Sequence, residues 1–108
     1  MEKVKFECDY LHGLIWWYTD DDMLTDMPSY IEENQELMNL DNEFMELYSS
    51  CYSFDVEDMT VKFDNQILNK YKYRLLKIIK RVKEILNALN DGSFEIVDTL
   101  TESLTKEV

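Results

Sequence analysis

His12, Cys8 and Cys51 are the side chains in this sequence best suited to nucleophilic or general-base chemistry, and they are sparse. Ser/His/Asp and Cys/His mechanisms need a base held beside the nucleophile. The single histidine falls instead in a predicted turn, Leu11-His12-Gly13. Zinc takes three or four Cys and His ligands at suitable spacing, and positions 8, 12 and 51 supply all that the chain has. Asp20-Asp21-Asp22 with Asp26 offers oxygen ligands of the kind Ca²⁺ or Mg²⁺ prefers. An EF-hand loop, however, alternates its ligands and turns on a central glycine, and no glycine follows Asp20 until Gly92. Two isolated glycines, Gly13 and Gly92, cannot form a phosphate-cradling loop. Paired carboxylates can act as acid and base, but among 23 acids adjacent pairs select nothing. The expectation is a chain without catalytic residues, metal or cofactor.

What the sequence does concentrate is charge and aromatic area. The net charge is −12, unevenly placed. Residues 1–68 hold 17 acids against Lys3, Lys5 and Lys62, whereas residues 69–90 hold seven bases against Glu84. A field of this sign opposes nucleic acid and anionic membranes and attracts basic protein surfaces. Trp16, Trp17 and Tyr18 run directly into Asp20, Asp21 and Asp22. On a strand the two tryptophans face opposite sides. One of them is therefore either covered by a helix or the C-terminal segment, or exposed as an interface anchor beside carboxylates.

The elements that must position these groups follow from periodicity. Residues 3–10 alternate, with Val4, Phe6, Cys8 and Tyr10 on one side, and residues 14–19 are β-branched and aromatic on both. This predicts an antiparallel hairpin turning on Gly13 at positive φ, its second strand central or covered on both faces. An acidic loop follows, closed by Pro28. Ser29-x-x-Glu32 has the form of a capping box, with Asn34 as a second possible N-cap. The spacing of Leu37, Leu40, Phe44, Leu47, Tyr48 and Cys51 predicts a helix over about 30–52 with an acidic outer face. Met59, Val61 and Phe63 suggest a short strand over 59–63. Asp64 then caps a long helix over 64–90 with a seam from Leu68 to Leu89, ended by Asn90-Asp91-Gly92 as an αL cap. On its back, Lys70, Arg74, Lys77 and Arg81 form a stripe, read as a solvated face, as the neutraliser of the acidic helix beside it, or as the face that meets a second partner. An edge strand over 93–97 and a short helix capped by Thr99-x-x-Glu102 complete an α+β fold, one domain over 1–108.

The stretch YLHGLIWWYTDDD, with the size, acidity and α+β pattern of the whole chain, resembles the small acidic immunity proteins of bacterial toxin–immunity pairs. The resemblance implies an intracellular inhibitor that blocks the basic surface of a toxin or nuclease. A nucleic-acid mimic of the phage type and a structural or adaptor subunit are the alternatives. Buried free thiols and the lack of an apolar leader at the start of the sequence point to the reducing cytoplasm. The residues expected to bind a basic protein partner are Trp17, Tyr18, Asp20, Asp21, Asp22 and Asp26, joined by Glu32, Glu33 and Glu36.

Overall fold

A computed structural model describes residues 1–106. The alternating N-terminal segment forms strand β1 (Glu2–Phe6), paired antiparallel with β2 (Ile15–Tyr18) in the register Lys3↔Tyr18 to Phe6↔Ile15. Strand β5 (Phe94–Val97) pairs parallel to β1 on its other side, so the sheet order is β2-β1-β5. The alternating strand is thus the central one, and β2, expected to be central or doubly covered, lies at an edge. Its outer edge is blunted by the acidic loop folding back: Thr25 N–H donates to Trp17 O at 2.9 Å and Thr19 N–H to Met23 O at 2.8 Å. Val4, Phe6, Ile15, Trp17 and Phe94 point inward and are buried.

The hairpin is wider than a two-residue turn allows. Asp9 bridges to His12, and Leu11 takes the left-handed conformation at φ 58°. Gly13 is needed for space instead of positive φ. A Cβ there would lie 2.3 Å from an oxygen of Asp41, whose Oδ1 accepts from Leu14 N–H (2.7 Å) and Ile15 N–H (3.0 Å).

The first predicted helix is two. Helix α1 (Ser29–Glu32) starts at Pro28 without a side-chain cap, so the Ser29/Glu32 capping box does not form. Asn34 is the working cap: it accepts from Leu37 N–H and opens α2 (Gln35–Ser49). The chain then leaves the helix, and Tyr52 begins strand β3 (Tyr52–Asp55), which pairs antiparallel with β4 (Thr60–Phe63) as a separate two-stranded ribbon. Strand β3 is not signalled in the sequence because two of its four residues, Ser53 and Asp55, are turn-formers by type. Met59, placed in the predicted strand, instead ends the turn at φ 53°.

Asp64 caps α3 (Asn65–Leu89) as expected, accepting from Gln66 and Ile67 N–H. The predicted seam is buried from Leu68 through Leu86 except for the half-buried Tyr71, and it forms one core with the sheet's inner face and α2's Leu37 and Phe44. At its C-terminus Asn90 is extended, and the positive φ of Gly92 falls in the turn leading to β5, so the αL cap is displaced. Helix α4 (Leu100–Lys106) is capped by Asp98 and not Thr99: Asp98 accepts from Leu100 and Thr101 N–H, each at 3.0 Å, and from the Thr101 hydroxyl at 2.6 Å.

Asp98 also pairs with Lys83 of α3 at 3.0 Å, tying the last helix to the longest. Burial raises its pKa, but the Thr101 hydrogen bonds and Lys83 outweigh that and hold the carboxyl below its ordinary range. A depressed folded pKa contributes stability above the unfolded value, lost as pH falls through the folded one. Asp98→Ala is expected to cost about 1–2 kcal/mol from the lost cap alone, read as a lower denaturant midpoint with unchanged slope. The deficit should shrink under acid.

Candidate partner-binding site

The nine residues expected to bind a partner divide among three surroundings. Trp17 is the clearest correction. It is 2% exposed on the sheet's inner face, its ring 4.8 Å from that of Phe94. Its Nε1–H donates to Glu2 Oε1 at 2.6 Å, closing the indole's polar need. Trp17 is therefore a core residue, and Trp16 is the tryptophan that reaches the surface.

The second group is engaged by partners within the chain, its acids in exposed ion pairs and Tyr18 in a hydrogen bond. Asp20 pairs with the N-terminal amine. Asp22, in the left-handed conformation at φ 60°, reaches over the outer sheet face to Lys3 at 2.9 Å and Lys5 at 3.9 Å. The Lys3 hydrogen bond and charge hold the Asp22 carboxyl below its usual range. Tyr18 lies on the same face, donating to Glu7 Oε2 at 2.8 Å beneath the Lys5 ammonium. Burial and then Glu7 push its phenol up. Glu36 forms a two-pronged pair with Arg81 at 2.8 and 3.0 Å, and one heptad along Glu43 does the same with Arg74 at 2.5 and 2.6 Å. The basic stripe is exposed, as a solvated face is, and two of its four members, Arg74 and Arg81, also neutralise the acidic helix. Hydrogen bonds from those arginines lower the pKa of both glutamates.

The third group remains available. Asp21, Asp26, Glu32 and Glu33 are exposed and hold no ion pair among the described residues. Two of them come together. Asp26 and Glu32 line a cleft of about 350 Å³ beside β2, with His12, Trp16, Leu24 and Met27, and the largely buried Trp17 also borders it. Pro28 and the buried Ile31 seat α1 at one side of it, and the Thr25–Trp17 hydrogen bond fixes the loop at the other. The half-exposed Trp16 ring is stacked on His12 at 3.8 Å, and its Nε1–H donates to Gly13 O at 3.1 Å.

A rigid aromatic face beside two free carboxylates suits a cationic side chain, which would gain both ion pairing and cation–π contact. Trp16 and His12 were missed as site residues, although their neighbourhood was not. The usable signal is that Trp16 shares its outward register with Lys5. Among the described residues no group of three or more His, Cys, Asp or Glu is placed to hold a metal ion. No helix among them is long and apolar enough to cross a membrane. Cys51 is buried and Cys8 half-buried, and neither is in a disulfide among the described residues. Comparison with protein-family models, curated proteins and solved structures finds no match to this chain.

Proposed function

We propose that this chain is an intracellular, non-catalytic protein inhibitor of the immunity type, which neutralises a toxin or nuclease by covering its basic surface. The observation that carries the reading is the cleft in which the surface tryptophan Trp16 meets the free carboxylates of Asp26 and Glu32. Internal pairing consumes Asp20, Asp22 and Glu36, yet the chain keeps −12. That excess favours encounter with a cationic protein and disfavours nucleic acid.

The test is affinity capture from the native host at low and high salt. A basic protein retained at one-to-one stoichiometry and released by salt is the expected result. Joint replacement Asp21→Asn, Asp26→Asn and Glu32→Gln should weaken that complex roughly tenfold or more at low ionic strength. Asp22→Asn should leave it nearly unchanged, because that carboxylate already serves Lys3. Retention indifferent to salt and to the triple replacement would sink the proposal.

A further inference from the structure

The β3–β4 ribbon carries an apolar strip that outruns the body it is attached to. At its base Tyr52 pairs across the ladder with Phe63. Both rings pack into an aromatic group with Tyr48, at 5.8 and 5.7 Å, and Tyr10 lies 5.2 Å from Tyr52. Two residues further out, on the same face by the period of a strand, Phe54 pairs with Val61. This pair has no such cover: each is 58% exposed, and Val56 and Met59 at the tip are 72% and 73% exposed. Tyr10, Phe54 and Val61 line a recess of about 150 Å³. A contiguous apolar strip on an otherwise acidic surface marks an interaction site.

The charges around the strip select its occupant. Asp55 is spent on the turn, accepting from Glu57 and Asp58 N–H and facing Lys62 at 3.8 Å. Glu57 and Asp58 hold no ion pair among the described residues and flank Val56 and Met59. Two copies meeting through this strip would oppose those carboxylates on chains of −12 each, a like-charge contact that disfavours self-association. We infer that the outer half of the β3–β4 ribbon, with Tyr10 beside it, docks into an apolar recess rimmed by lysine or arginine on a protein partner. This rests on the reading of a basic partner above and assigns it a second point of contact away from the Trp16 cleft.

The probe is the protein that the wild-type full-length chain retains at one-to-one stoichiometry from its host. Two ribbon variants are compared: Phe54→Ser with Val61→Thr, and Val56→Ser with Met59→Asn. The second lies outside the ladder and suits the positive φ of Met59, so it keeps the test sound if the first unfolds. Each should weaken the complex at least tenfold, and Glu57→Gln with Asp58→Asn should lower its salt sensitivity. Ribbon variants that bind like wild type, while the Asp21/Asp26/Glu32 triple variant loses affinity, overturn the ribbon and leave the inhibitor reading intact. The reverse pattern upholds the ribbon and removes the cleft. Self-association of the wild type in sedimentation, abolished by the ribbon variants, replaces the partner with a second copy and overturns the inference. A wild-type chain that retains nothing overturns both.

Discussion

Replacing Trp17 by alanine is expected to cost about 3–5 kcal/mol of folding stability, the range for emptying a core site of a large aromatic. Domains of this size have about 5–15 kcal/mol in total, so the variant should be marginally folded at best. Its ring contact with Phe94 and its hydrogen bond to Glu2 would go together. Trp16→Ala, one position away, should behave differently. That ring is half-exposed against His12 and outside the core, so the thermal midpoint should move little while partner retention falls. Paired melts of the two variants check the assignment. Equal destabilisation would mean that the division between core and surface tryptophan is wrong.

The second large effect centres on Asp41. Its carboxylate accepts from the amides that begin β2 and sits where a Gly13 side chain would go. Asp41→Ala strands the Leu14 and Ile15 N–H groups in a partly buried place and should cost about 1–3 kcal/mol. Gly13→Ala should cost a similar amount by expelling the carboxylate, but little more when Asp41 is already alanine, a non-additivity that a double-mutant cycle reads directly. The pH dependence has the opposite sign to that of Asp98. Burial raises the Asp41 pKa, more than the two amide hydrogen bonds lower it. Its contribution is therefore fully present below the unfolded carboxyl value, about 3.9, and fades as pH rises through the higher folded value. Asp41→Asn keeps an acceptor oxygen and should remove that dependence at smaller cost.

The elements with long, regular apolar periods were legible before the structure. The α3 seam from Leu68 to Leu89 survives almost unchanged because burial on one face leaves a repeating signal, whereas the alternation expected to run over 3–10 is a strand only over Glu2–Phe6, and Tyr10 at its far end is exposed. What failed was local chemistry with tertiary causes. Gly13 invited a positive-φ turn, but the constraint on it comes from Asp41, 28 positions away in the chain. Ser29-x-x-Glu32 matched a capping box, yet Pro28 preset the entry and Asn34 did the capping. The Glu36/Glu43 and Arg74/Arg81 pairs carried a readable signal in their matched seven-residue spacings, which pair in reverse order when two helices run antiparallel. The candidate site was legible as a region and blurred in its members. Two of the expected acids, Asp26 and Glu32, meet at the cleft, while ion pairs that only the fold reveals withdraw Asp20, Asp22 and Glu36.

These assignments change what the acidity means. Part of it is internal cement: Glu36 and Glu43 fasten α2 to α3, and Asp22 fastens the loop to β1. Exposed pairs of this kind contribute little individually, and their value is in fixing where the remaining carboxylates stand. Among the remaining carboxylates, Asp26 and Glu32 stand at the Trp16 cleft and Glu57 and Asp58 at the ribbon tip. The central claim is inhibition by one-to-one coverage of a basic protein, and a titration tests it most directly. The captured partner's own toxic or nuclease activity is measured against increasing wild-type chain at low salt. Activity should fall linearly to zero at one equivalent, with the Asp26→Asn/Glu32→Gln variant requiring a large excess. A partner whose activity is unchanged at saturating chain would contradict it.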